Sequence, residues 1–173
     1  MNYASLITDS IVDGTGVRVA LFVSGCRRHC NGCFNKVTWD FNYGTEFTSE
    51  TMQTIRKLLA DSLISGISIL GGEPFEPENR ETVREICVAT HKIRSKNVWI
   101  YTGFTLEELQ ALNDPIVDDI LALTDVLVDG PFIEEKRDLA LKFRGSSNQR
   151  IIDMYRTNLS GKLMLWEDEG VLF

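Results

Sequence analysis

Four apolar runs that all stop in the same way constrain this chain most. Val17-Arg18-Val19-Ala20-Leu21-Phe22-Val23, Gly66-Ile67-Ser68-Ile69-Leu70, Asn97-Val98-Trp99-Ile100-Tyr101 and Asp125-Val126-Leu127-Val128 are largely apolar without clean alternation. That is the pattern of strands covered on both faces in a parallel sheet. Each run ends in glycine or polar residues: Ser24-Gly25, Gly71-Gly72-Glu73-Pro74, Thr102-Gly103 and Asp129-Gly130-Pro131. The segments between them have helical spacing. Thr48 or Ser49 N-caps a helix with Met52, Ile55, Leu58, Leu59 and Leu63 on one face, and Asn79 to Ile93 carries Val83, Ile86, Cys87, Thr90 and Ile93. Thr105 with Glu108 forms a capping box, and Asp114-Pro115 starts another helix. Gln149-Arg150-Ile151-Ile152 reads as a last strand.

This alternation predicts an α/β fold with about five parallel strands and right-handed crossovers. A complete eight-stranded barrel takes ~250 residues, and the chain has 173. The expectation is therefore an incomplete (partial) TIM-type barrel of about five parallel strands with flanking helices, its ligands bound at the C-terminal strand ends. One domain over 1–153 is expected, with a C-terminal extension of unassigned role over 154–173. There Leu163 to Trp166 and Val171 to Phe173 flank Glu167 to Gly170 as a small hairpin.

The rim of strand ends carries Cys26-Arg27-Arg28-His29-Cys30-Asn31-Gly32-Cys33, three cysteines within eight residues. Such close loop spacing brings three soft ligands to one centre. A four-iron cluster held by only three cysteines keeps one iron open, and an open coordination position marks a catalytic metal site. The same residues admit a zinc site completed by His29 or Cys87. Cys87, on the apolar face of a helix, reads as a small buried hydrophobe, and His29 as a solvated loop histidine.

Composition narrows the function classes. With 18 Lys and Arg against 25 Asp and Glu the net charge is −7, a poor balance for generic nucleic-acid binding. Four cysteines are too few for a disulfide scaffold. Met1 to Val17 holds no Lys or Arg, and the longest apolar run, Val19 to Val23, is far short of the ~20 residues of a membrane span. A cytoplasmic location with reduced thiols and no membrane association is expected. Gly14 and Gly16 read as a turn before the first strand, since no Lys-Ser/Thr pair follows as in a phosphate loop. Lys136, Arg137, Lys142, Arg144 and Arg150 form a basic stretch, open to a solvated loop or a docking patch. Trp39, Trp99 and Trp166 read as packing residues.

The three-cysteine loop with Gly71-Gly72-Glu73-Pro74 resembles the radical S-adenosylmethionine (SAM) enzymes. Asp13 to Cys26, Cys33-Phe34-Asn35, Thr38-Trp39, Trp99 to Phe104, Val126 to Phe132 and Phe143 to Arg150 extend the likeness over about residues 1–153. In this order they resemble the activating proteins of anaerobic (class III) ribonucleotide reductase. The resemblance implies that Cys26, Cys30 and Cys33 ligate a [4Fe-4S] cluster whose open iron chelates SAM. One-electron cleavage then gives a 5′-deoxyadenosyl radical, which takes hydrogen from a glycine of the large reductase subunit. It implies an electron donor such as reduced flavodoxin and no catalytic side chain, because cluster and SAM carry the chemistry. By the same likeness Gly71, Gly72 and Glu73 meet the SAM amino group, Gly32, Cys33 and Phe34 lie under the adenine, and Thr102 and Asp129 stand near ribose or carboxylate. The alternatives are another small radical SAM enzyme (a pyruvate formate-lyase-type activase or a deazapurine synthase) and a non-enzymatic zinc or electron-transfer protein.

Overall fold

The computed structural model describes residues 1–167. In chain order the elements are β1 (Asn2–Ser10), β2 (Val17–Val23), a 3-10 turn (Lys36–Trp39), β3 (Thr45–Glu46), α1 (Ser49–Leu59), β4 (Ile64–Gly71) and α2 (Pro77–His91). They continue with β5 (Asn97–Tyr101), α3 (Leu106–Ala111), α4 (Pro115–Ala122), β6 (Val126–Asp129), a second 3-10 turn (Glu134–Lys136), β7 (Arg150–Asp153) and α5 (Met154–Ser160). Thr48 caps α1, Thr105 and Glu108 form the reciprocal box at α3, and Asp114 caps α4 ahead of Pro115. Leu63 lies past the end of α1 and is exposed, because the helix closes at Ala60.

One mixed, open sheet runs in the order β3-β1-β2-β4-β5-β6-β7. Its centre, β2-β4-β5-β6, is parallel as the apolar runs predict. The strand expected as a fifth parallel member is instead antiparallel, with Asp129 opposite Arg150 and Val126 opposite Asp153. Its connection from β6 contains only a 3-10 turn among the described elements, and a parallel return needs a longer crossover, usually helical. On the other side, β1 and β3 add two antiparallel strands that the sequence reading did not anticipate. Five parallel strands thus become four within a sheet of seven.

Period-two alternation splits the sheet into two faces. Val19, Leu21, Val23, Ile67, Ile69, Val98, Ile100 and Leu127 pack with α1 to α4 through Met52, Ile55, Val83, Ile86, Cys87, Leu109 and Ile120. Met154, the first residue of α5, joins this core, so the segment after 153 is packed onto the domain. The opposite face presents Arg18, Ser68, Trp99, Tyr101, Val126 and Val128. Arg18 is wholly buried. It donates to Ser68 Oγ at 2.8 Å and to the Thr15, Ile67 and Asn97 carbonyls. Burial lowers its pKa to about 10, so it stays charged at neutral pH. In the C-terminal segment Asp153 N–H donates to Met164 O, and Leu165 bridges to Ile152. The other arm of the expected hairpin, Val171 to Phe173, lies outside the described residues. No helix among those described is long and apolar enough to cross a membrane.

Candidate functional site

The cysteine loop is fastened at the point where it leaves β2. Gly25 N–H donates to Thr38 O at 2.8 Å and Cys26 N–H to Trp39 O at 3.3 Å, which ties the strand exit to the first 3-10 turn. From the other side, Arg27 reaches the start of α2. Its backbone N–H donates to Glu76 Oε1 at 2.7 Å, and its guanidinium pairs with Glu76 and Glu78 at 2.6 and 2.5 Å. Further on, Cys33 N–H donates to Cys30 O at 3.2 Å, closing a turn inside the motif. All three cysteines are free and half-buried, and burial pushes the Cys26 thiol up to about 11.

The second strand end is organised around Glu73. Gly72 N–H donates to Val23 O at 2.7 Å and Glu73 N–H to Gly25 O at 2.9 Å, so this rim lies directly against the cysteine loop. A Cβ on Gly72 would sit 2.6 Å from Gly25 O, and Gly71 has φ +105°; neither position admits an ordinary side chain. The buried Glu73 carboxylate accepts from Phe75 N–H at 3.0 Å, Thr102 Oγ1 at 2.8 Å and Gly103 N–H at 2.9 Å. Asn79 Nδ2 donates to both Ser24 O and Glu73 O at 3.0 Å. Burial pushes the Glu73 pKa up to about 7 against these donors. Its oxygens are committed to the rim, and Thr102 serves it by joining β5 to β4.

Two adjoining clefts open over these strand ends. One, of about 140 Å3, is lined by Cys26, Cys30, Cys33, Gly71, Gly72, Glu73 and Thr102, together with Arg28, Trp39, Tyr101 and Gln149. The second, of about 400 Å3, shares Cys33, Gly71, Tyr101, Phe132 and Gln149 and adds Phe34, Asp13, Phe143 and Arg144. Phe34 is 60% exposed, its ring 5.4 Å from Phe132 and under the Arg137 guanidinium at 4.6 Å. Gly32 and Asp129 line neither cleft. Gly32, at φ +70°, lies against the Glu134 carboxylate. Asp129 is fully buried, accepting from Arg150 Nε and Nη2 at 2.9 and 2.5 Å and from Leu106 N–H at 2.7 Å.

Sequence reasoning missed Arg28, Tyr101 and Gln149 and assigned Trp39 to packing. Arg28 stacks over Phe104 at 4.6 Å and favours the ionised form of Glu73. Tyr101 is the last residue of β5, and its position before Thr102-Gly103 was the one available signal. Its hydroxyl is buried without a partner among the described residues. His29 is exposed on the loop as expected, with one face of its ring stacked on Trp39 at 4.4 Å.

This donor set fits a sulfur-ligated cluster better than a single ion. Neither proposed fourth zinc ligand is poised to serve: Cys87 is fully buried in the helix-side core, and His29 lies flat on Trp39. Three free thiols facing a glycine-walled cleft leave room for a larger group.

Comparison with known proteins agrees with this donor set. A family model described as a 4Fe-4S single cluster domain matches residues 12–152. The anaerobic ribonucleoside-triphosphate reductase-activating protein of Escherichia coli (strain K12) is 43% identical over 155 residues, covering 86% of this chain and 96% of that protein. The protein of the same name from Salmonella typhimurium is 42% identical over 152 residues, with 86% and 96% covered. That from Enterobacteria phage T4 is 36% identical over 153 residues, with 87% and 93% covered.

Proposed function

The chain belongs to the anaerobic ribonucleoside-triphosphate reductase-activating proteins, and on that premise we propose that it is a radical SAM activase that installs a glycyl radical on the large subunit of the anaerobic reductase. The observation that carries this reading is the convergence of Cys26, Cys30 and Cys33 with the Gly71-Gly72-Glu73 rim on one cleft. Cys26, Cys30 and Cys33 would hold a [4Fe-4S] cluster, with SAM bound beside it against the Gly71-Gly72 rim. Such a cluster would supply the single electron for reductive cleavage of SAM, on which hydrogen abstraction from the partner's glycine would depend.

The chain's own residues bind, orient and exclude water. Gly71 and Gly72 let a ligand approach the backbone, and Glu73 holds that backbone still through Phe75, Thr102 and Gly103. Phe34 offers an exposed ring to the adenine from the wall of the larger cleft. Thr102 lines the cleft and ties the rim through Glu73, while Asp129 acts behind the surface on the β6–β7 pair. The larger cleft, with its Phe132, Phe143 and Arg144 walls, receives the glycine-bearing segment of the reductase. A reduced flavodoxin is the proposed electron donor.

The test is anaerobic reconstitution with iron and sulfide. Four irons per chain and production of 5′-deoxyadenosine with SAM and a strong reductant are expected, followed by a glycyl radical signal when the reductase is added. Stoichiometric zinc with no deoxyadenosine would overturn the enzyme reading. SAM cleavage with no glycyl radical would assign a different substrate.

A further inference from the structure

Positive charge gathers on the three connections that wall the larger cleft. They span 11–16, 24–39 and 130–149 and hold seven Lys and Arg against four Asp and Glu, while the rest of the chain holds 11 against 21. The sign stays positive even with Arg27 spent on Glu76 and Glu78. Arg28, Lys36, Lys136 and Arg137 make no ion pair among the described residues. Apolar groups stand out on the same connections. Val12 lines the cleft and is 70% exposed, and its neighbour Ile11 is 71% exposed. Leu139, two residues before the lining Leu141, is 83% exposed, and Val37, two residues after the lining Asn35, is exposed as well. Single exposed apolar residues are ordinary. A group of them around one opening, with a polar border, marks an interaction site.

The two clefts share Cys33, Gly71, Tyr101, Phe132 and Gln149, so the larger leads into the smaller. Reacting atoms must come within about 3–3.5 Å of each other. A glycine that enters by the larger cleft therefore brings the protein that carries it against this mouth. We propose that the mouth formed by Ile11, Val12, Val37, Lys136, Arg137 and Leu139 is the docking face for the anaerobic reductase, and that it receives an apolar loop tip flanked by Asp and Glu. The inference deepens the proposed function and rests on it.

The two kinds of side chain contribute differently. Exposed apolar groups lose their water only when a partner covers them, so they hold the complex once it has formed. Cations without ion pairs attract an acidic partner from a distance and orient it, which speeds encounter. Because the remainder of the chain is strongly acidic, it repels such a partner, and the positive border directs approach to this face alone. A second copy of the chain is a poor occupant, since a symmetric contact would bring two positive borders together.

The experiment measures binding of the reductase to reconstituted protein under anaerobic conditions. A chain carrying both Ile11→Asp and Leu139→Asp should take up as much iron as wild type and bind the reductase roughly tenfold more weakly or worse. Leu63→Asp, an exposed apolar site at the start of β4 and so at the far end of the sheet, should bind as wild type does. Lys136→Glu should slow association about three- to tenfold at low salt, and the difference should fade at ~1 M salt, where the Debye length is about 3 Å. A second measurement needs no variant: the reductase should protect residues 11–16 and 134–142 of wild type from hydrogen exchange. Equal binding by the double variant overturns the proposal, as does an equal loss in Leu63→Asp. Absence of protection overturns it too, and that result decides alone if the double variant takes up no iron. Protection of these residues by an electron donor or by a second copy, with the reductase leaving them unprotected, assigns the face to another occupant and overturns it as well. If wild type binds the reductase elsewhere, only this inference fails. If wild type neither binds the reductase nor gives a glycyl radical with it, the proposed function fails first.

Discussion

Glu73 meets two opposed demands. Three donors hold its carboxylate in place, while complete burial penalises its charge and wins, lifting the pKa to about 7 from an ordinary ~4.3. Between those values the folded chain keeps a proton that the unfolded chain has released. The group's contribution to stability is therefore full below about pH 4.3 and is lost as pH rises to about 7. In cluster-free Glu73→Gln that falling limb should vanish. The amide oxygen still serves Phe75 and Thr102, but its NH2 faces the Gly103 N–H. Expected from urea unfolding is a loss of about 1–3 kcal/mol near pH 5 that narrows toward pH 8. Parallel stability profiles for the two proteins would remove Glu73 as the titrating group.

At the scale of elements, one arginine joins three of them. Arg150, on β7, pairs with Asp129 at the end of β6 and with Glu107 in the first turn of α3 at 2.7 Å, while Asp129 also accepts from Leu106, the first residue of α3. Asp129 is wholly buried and Glu107 is 60% exposed at its side chain, so the two bonds differ in worth. Arg150→Ala leaves a buried carboxylate with one N–H and should cost about 3–5 kcal/mol. Glu107→Ala removes a surface partner and should cost no more than ~1 kcal/mol. Equal losses in denaturant titrations would contradict this ranking. The same cluster shows what a sequence reveals. The boxes at Thr105–Glu108 and Asp114-Pro115 and the spacing of Cys26, Cys30 and Cys33 are local, and all could be read along the chain. The pairing of Asp129 with Arg150 depends on β7 running antiparallel, and its trace in the sequence was a missing helical period between Pro131 and Gln149. β1 escaped because Asn2–Ser10 is half exposed and lacks a continuous apolar run. Arg28, Tyr101 and Gln149 come from three different strand ends, and no spacing links them until the sheet brings those ends together.

At the scale of the whole molecule the two faces of the sheet are closed by different means. Helices cover one. The other is covered by the segment between β6 and β7, which also walls the larger cleft, and three T-shaped aromatic pairs anchor that segment. Phe143 meets Trp99 at 5.4 Å and Trp166 at 6.1 Å, and Trp166 meets Trp99 at 5.4 Å. Gln149 Oε1 accepts from Gly145 and Ser146 N–H at 2.9 and 3.1 Å, which gives the segment an internal frame. The cysteine loop depends on none of these, being held by Arg27 to Glu76 and by Thr38 and Trp39. Trp166→Ala deletes two of the aromatic pairs, each worth roughly 0.5–1.5 kcal/mol, so a loss of about 1–3 kcal/mol is expected. Hydrogen exchange should then accelerate at residues 139–145 and stay unchanged at 26–33, with iron uptake preserved. The result matters because it separates the two halves of the site: the cluster loop would be rigid by its own ties, and the partner-facing wall would be held by the C-terminal tryptophan. Equal acceleration in both loops would mean that the site is one cooperative unit and that the division is wrong.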